Sequence, residues 1–186
     1  MTSTDPHLIV IRGNSASGKT SLARNLQLAI GRGTANIGQD HFRRVVLREH
    51  DVPGGDNIDL IDRTVRHCLG IGYHVILEGI LYSRHYGEMI RALLRDHLGP
   101  CHVFYLEVPL EETIRRHAGR PLSTEVTAEQ IRSWHVPGDH LGVDGEVVLA
   151  GELSVSEIQR TVLGHTGRIP QRAVTTPSHT LDPSSS

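Results

Sequence analysis

Apolar residues along the chain gather in five short runs, separated by longer stretches in which they recur every three or four positions. The runs are residues 8–12 (LIVIR), 34–38 (TANIG), 73–77 (YHVIL), 102–108 (HVFYLEV) and 146–150 (EVVLA). Continuous rather than alternating apolar runs suit strands covered on both faces. With helical segments between them they predict an α/β fold: a doubly wound, five-stranded parallel sheet flanked by helices. Leu22, Leu26, Ala29 and Ile30 form one helical stripe, closed by Gly31 and Gly33. Ile58, Ile61, Val65, Cys68 and Leu69 form a second, and Tyr86, Met89, Ile90, Leu93 and Leu94 a third, which ends before Gly99-Pro100. Pro109 suits the first turn of a helix running to about residue 118, with Glu111 and Glu112 early and Arg115 and Arg116 late, the sense that the helix dipole favours. Thr127 and Gln130 have the spacing of a capping box for a short helix through Trp134, followed by a turn at VPGDHLG. Ser154 caps a last helix through Leu163.

Composition narrows the picture. The chain has 186 residues, room for one domain of ordinary size, with 38% hydrophobic and 22% charged residues and a net charge of −2. That balance offers no general attraction to nucleic acid or to an anionic membrane, so any bound anion must be held by local geometry. No apolar run approaches a membrane span, the N-terminus lacks a signal-peptide pattern, and Cys68 and Cys101 lack metal or CxxC spacing. The expected location is cytoplasmic, with both thiols buried and free. Residues 166–186, rich in Pro, Ser and Thr without an apolar period, are expected to be a disordered tail, and residues 1–7 an N-terminal extension. Thirteen histidines are present without HExxH or zinc-type spacing.

Between the first strand and the first helix stands GNSASGKT, residues 13–20, which matches G-x-x-x-x-G-K-[ST] at every fixed position. In that context the loop's N–H groups and the helix N-terminus converge on a phosphate. The expected ATP-binding residues are Gly13, Asn14, Ser15, Ala16, Ser17, Gly18, Lys19, Thr20 and Ser21, with the Thr20 hydroxyl directed to Mg²⁺. Lys19 is the only lysine beside 18 arginines. A compact ammonium fits inside such a loop where a planar guanidinium does not. A single lysine also rules out a guanine-reading NKxD motif, and Ser15 breaks the GxGxxG dinucleotide pattern. A small kinase fits better than a GTPase or a motor.

The second strand ends in GQDHFRR. Ligands of open α/β sheets sit beyond the carboxyl ends of the strands, so Asp40 reads as the base that accepts the proton of an acceptor hydroxyl, or as the N-cap of the segment that follows it. Arg43, one turn on, can hold substrate or the aspartate. Glu78 ends the third strand where other phosphate-loop proteins carry a metal-linked acid, and a structural role is the alternative. Residues 115–142 form a candidate lid that includes Trp134 and Asp139. There Arg116 and Arg120 can reach the transferring phosphoryl group, and a solvated helix end explains Arg115 and Arg116 as well. Arg43, Arg44, Arg48, Arg63 and Arg66 hint at an anionic or richly hydroxylated acceptor.

Taken together, GNSASGKT, Asp40-x-x-Arg43 and Arg116-x-x-x-Arg120 resemble the P-loop small-molecule and polynucleotide 5′-hydroxyl kinases, a group that includes gluconate kinase, chloramphenicol phosphotransferase and zeta-toxin kinases. The resemblance covers roughly residues 8–165. It implies a P-loop NTPase fold of the nucleoside monophosphate kinase-like type, with ATP and Mg²⁺ as cofactors and a small-molecule hydroxyl as acceptor. Lys19, Asp40, Arg116 and Arg120 would be catalytic, and Asp40, Arg43 and Glu78 would face substrate. Few aromatics and a negative net charge argue against a nucleic-acid acceptor. No membrane association and no obligate protein partner are expected. A ligand-sequestering protein like the tunicamycin-resistance proteins and a zeta-type toxin are the other readings.

Overall fold

The computed structural model describes residues 5–118, 127–151, 153–167 and 169. The expected tail beyond residue 169, the first four residues and the lid residues 119–126 lie outside the described residues. Five strands form one all-parallel sheet: β1 (Leu8–Gly13), β2 (Thr34–Gly38), β3 (His74–Gly79), β4 (Cys101–Glu107) and β5 (Glu146–Ala150). Their spatial order is β2-β3-β1-β4-β5. The helices are α1 (Lys19–Ile30), α2 (Asp56–Gly70), α3 (Ser83–Asp96), α4 (Leu110–Ala118), α5 (Ala128–Trp134) and α6 (Val155–Thr166).

The continuous apolar runs are explained by two core layers. On one face Leu8, Val10, Val75 and Leu77 pack with Ile61 and Val65 of α2 and with Tyr86, Ile90 and Leu93 of α3. On the other, Ile9, Ile11, Ile76 and Phe104 pack with Leu22 and Leu26 of α1 and with Ile158 and Val162 of α6. Alternate residues of β1 therefore serve opposite layers, and residues 8–11 are apolar on both faces. The expected capping box forms at Thr127 with Gln130, and the expected Ser154 cap is completed to a capping box by Glu157.

One element departs from expectation. After β2 the chain winds a π-helix over His41–Leu47, with no buried residue, leaving Val45 and Val46 exposed. Arg48 closes it in the left-handed conformation at φ 55°, and the amides of Arg48 and Glu49 both donate to the Arg43 carbonyl. Such wide turns recur where a helix is re-aimed at a functional site. The segment DVPG is a loop, as its charged approach implies, and Gly54 turns it at φ 72°. Cys68 and Cys101 are free and half-buried rather than buried, and burial raises both thiol pKa values. Among the described residues no helix is long and apolar enough to cross a membrane.

Candidate active site

The loop after β1 turns tightly into α1. Gly13 sits at φ 148°, where a Cβ would come within 2.6 Å of the Leu106 carbonyl oxygen on the neighbouring strand. Ala16 takes the left-handed conformation at φ 56° and Gly18 directly precedes α1. Lys19 is buried, and its ammonium donates to the Asn14 carbonyl at 2.6 Å and to Ser17 Oγ at 3.1 Å, spanning the loop from inside. Ser17 is buried with it, Ser15 is half-buried, and Thr20 and Ser21 are exposed on the first turn of α1. The first amides of α1 have no partner earlier in the helix, so this end supplies the donors and dipole that suit a phosphate.

Asn14 does something different with its side chain. Its Nδ2 donates to the Val136 carbonyl at 2.9 Å and its Oδ1 accepts from the Val136 amide at 3.0 Å. The amide is thereby used to bolt the segment after α5 to the phosphate loop.

Glu78, at the end of β3, lies beside the loop. The Thr20 hydroxyl is within hydrogen-bond distance of both carboxylate oxygens, at 3.1 and 3.3 Å. Gly38 stands opposite Glu78 in the β2–β3 register, and a Cβ there would meet Glu78 Oε1 at 3.0 Å, so glycine makes room for the carboxylate. Burial raises the Glu78 pKa; the charge of Lys19 and the Thr20 hydrogen bond oppose the rise, and the charge of Asp40 adds to it. A buried carboxylate held up in this way, next to a hydroxyl oxygen, is the hard-oxygen donor pair that a divalent cation such as Mg²⁺ would stabilise in its ionised form. The two residues fit the metal chemically. Among the described residues no group of three or more His, Cys, Asp or Glu forms a further metal site.

Asp40 is largely exposed, and its side chain makes no capping hydrogen bond to the π-helix. Instead one carboxylate oxygen accepts from Arg43 at 2.9 Å and from Arg44 at 3.2 Å. Arg44 thus joins Arg43 at the aspartate. Next to them a cavity of about 360 Å³ opens between the π-helix, the β3–α3 connection and the C-terminal end of α5; Arg43, Arg44, Arg84, Asp51, Tyr82 and Trp134 are among its walls. Two larger hollows, about 500 and 640 Å³, are lined by residues such as Leu98 and Gly99 or lie between α2 and α3, away from the phosphate loop.

Arg116 is engaged by other partners. It donates to Glu112 at 2.6 Å and to the Gly151 carbonyl at 2.5 Å, just past the carboxyl end of β5. Arg115 pairs with Glu112 in solvent. Arg120 lies outside the described residues. Arg63 and Arg66 face helical carboxylates, Asp59 for the first and Asp62 and Asp96 for the second, rather than the cavity.

Several side chains near the site carry no motif. Arg12, wholly buried at the end of β1, bonds the Leu81 carbonyl, Asp139 at 3.0 Å and Glu146 at 3.4 Å. Asp139 also accepts from the amide and hydroxyl of Ser83. Behind the cavity, Tyr86 Oη meets Gln39, Asp51 and Asn57 at 2.8, 3.0 and 2.9 Å, and Asp51 also holds His85 Nδ1 at 3.2 Å. The one sequence sign of the Arg12 clamp is a charge closing an otherwise apolar strand.

Residues 8–136 match the family model described as AAA domain. No curated protein sequence matches the chain. Among solved structures, the Mycobacterium tuberculosis APS kinase CysC, in complex with AMPPNP and APS, superposes with a TM-score of 0.66 at 17% identity, over 86% of this chain and 96% of that one. A gluconokinase from Sinorhizobium meliloti gives 0.60 at 20% identity, over 86% and 91%. The Deinococcus radiodurans tunicamycin resistance protein gives 0.62 at 15% identity, over 90% and 99%. At these identities the likeness establishes the fold, that of the P-loop kinases.

Proposed function

The chain belongs to the AAA domain family, and from that premise we propose that it is an ATP-dependent kinase that moves the γ-phosphoryl group of ATP to a hydroxyl of a small molecule. The observation that carries this reading is the convergence of Lys19, Thr20 and Glu78 at the phosphate loop, with Asp40 close enough to Glu78 to act on its charge and next to a cavity of small-molecule size.

The loop amides and Lys19 cradle the β- and γ-phosphates of ATP. Thr20 and Glu78 would hold Mg²⁺ or its waters, and the ion, when bound, supplies neutralisation of the phosphate charge. Asp40 takes the proton from the acceptor hydroxyl as that oxygen approaches phosphorus, while Arg43 and Arg44 fix its carboxylate. Arg116, released from Glu112, and Arg120 bring positive charge to the transferring group as residues 115–142 close and exclude water. A reducing, cytoplasmic setting accords with the two free thiols.

A second reading, a protein that binds nucleotide and ligand without turnover, draws support from Arg116, which both Glu112 and the Gly151 carbonyl hold. Acceptor-dependent ADP production separates the two, measured on a panel of nucleosides, sugars and hydroxylated antibiotics. The kinase reading expects stimulation by at least one acceptor class and its loss in Lys19→Ala. Nucleotide binding with no acceptor-stimulated ADP across the panel favours the binder.

A further inference from the structure

The walls of the 360 Å³ cavity are not electrically balanced. Three guanidinium groups, Arg43, Arg44 and Arg84, line it with one carboxylate, Asp51, and a second carboxylate, Asp40, stands beside it paired with Arg43 and Arg44. Both carboxylates are already engaged. One Asp40 oxygen serves Arg43 and Arg44 together, and Asp51 accepts from Gln39, Tyr86 and His85. Arg84 has no carboxylate partner among the described residues. Its guanidinium lies over the Tyr82 ring, 5.0 Å from the centroid, which orients the planar fork without consuming its N–H donors. In a chain of net charge −2 this is a local excess of cation, in a recess that also offers the flat side chains of Tyr82 and Trp134.

We propose that this cavity binds an acceptor that carries an oxyanion in addition to its reacting hydroxyl, and that Arg84, with Arg44, seats that anion beside Tyr82 and Trp134. The inference rests on the kinase reading only in taking the cavity as the acceptor's place. A phosphate, sulfate or carboxylate group meets the same donors, and a planar guanidinium pairs with each through two parallel N–H···O bonds. Asp40, beside the cavity, is paired with Arg43 and Arg44, which offsets its charge toward an anion bound there. A neutral sugar or nucleoside would leave the Arg84 donors facing only water.

Trp134 is the only tryptophan of the chain and lines the cavity, so its fluorescence reports occupancy directly. The probes are inorganic phosphate and, in parallel, acetate, titrated into the nucleotide-free protein at ionic strength held constant with chloride. Phosphate-only, acetate-only or shared responses distinguish a tetrahedral dianion from a carboxylate. The expected result is a saturable change with at least one anion, weakened about tenfold or more in Arg84→Ala, the scale of one charge-assisted hydrogen bond, and retained in Lys19→Ala. Arg84 is exposed, so its removal leaves the fold standing. The proposal is overturned if neither anion gives a saturable change, if Arg84→Ala leaves the change as it was, or if Lys19→Ala abolishes it, which would place the anion in the phosphate loop. The kinase reading fails by a different measurement, the absence of acceptor-stimulated ADP.

Discussion

The side-chain amide of Asn14 pairs with the backbone of Val136 as a neighbouring strand would, donating at 2.9 Å and accepting at 3.0 Å across 122 residues. A residue inside the phosphate-loop motif is thereby committed to holding the wall of the 360 Å³ cavity, since Trp134 and Val136 both line it. Tyr82 supports the same segment by donating to the Trp134 carbonyl at 2.5 Å. Asn14→Ala removes both bonds from a buried position, and the expected cost is about 1–3 kcal/mol of folding stability. Urea denaturation reads the loss, and Trp134 emission should shift as its segment loosens. A variant with unchanged stability and unchanged emission would show that the pairing holds nothing.

Arg12 is the second tie. It is fully buried and joins β1 to Asp139, Glu146 and the Leu81 carbonyl. Arg12→Met keeps much of the volume but leaves two acidic groups without their cation, and breaking a buried pair from one side costs about 3–5 kcal/mol. Arg63→Ala, which breaks an exposed pair with Asp59, is the control and should cost about 0–1 kcal/mol. Similar denaturation midpoints for the two variants would contradict the clamp.

The contrast between those two arginines marks where the sequence was readable. Strands and most helices lie within a residue or two of their apolar runs because both faces of the sheet must be filled, and the Thr127 and Ser154 caps follow from spacing alone. The π-helix escaped because it buries nothing, so no apolar period marks it. Lys19, Thr20 and Glu78 were legible as motif and strand-end residues. Arg84, the pairing of Asp139 and the Gln39–Tyr86–Asp51 network were not, because the partners are 12 to 127 residues apart or, for Arg84, an aromatic ring. Arg63 and Arg66 suggest an acceptor site by charge alone, yet each is compensated by a carboxylate one helical turn away, Asp59 and Asp62.

Glu78 allows a test of metal handling. Glu78→Gln keeps the size and an oxygen for Thr20 but removes the charge that a cation would need. The Mg²⁺ concentration for half-maximal activity should rise about 10- to 100-fold, the scale for residues that support a metal site. Stability without nucleotide should hold or rise, because the buried carboxylate, with its pKa raised by burial, is costly to keep ionised. An unchanged Mg²⁺ requirement would leave Glu78 a structural residue.

At the opposite end of the sheet His7 sits among imidazoles. Its Nδ1 is 3.2 Å from His102 Nε2, and its amide donates to His74 Nδ1 at 2.9 Å. Burial, then the neighbouring His102, His74 and His97, lower its pKa from 6.5 to about 4. Between those values the unfolded chain binds the proton and the folded chain does not. Stability is therefore intact above pH 6.5 and declines as pH falls through the window to about 4. One proton corresponds to a slope of about 1.4 kcal/mol per pH unit. His7→Leu should flatten the measured pH dependence of unfolding by that amount, and a slope that persists would assign it to other groups.

Asp40→Asn tests whether the site turns over or only binds. Two guanidinium groups hold its carboxylate and it caps no helix, so Asp40→Asn preserves shape while removing the ability to take a proton. ATP affinity should survive, because the phosphate loop does not use this side chain. Transfer to the acceptor should fall by about 10²- to 10⁴-fold, the range for loss of a positioned general base. Stability should change by less than about 1 kcal/mol, since the ion pairs lost are exposed. The variant separates the roles because each measurement moves alone: a fall in ATP affinity would place Asp40 on the nucleotide side, and near-normal turnover with intact folding would remove it from the mechanism and leave the proton to a group that lines the cavity, of which His85, oriented by Asp51, is the nearest in kind.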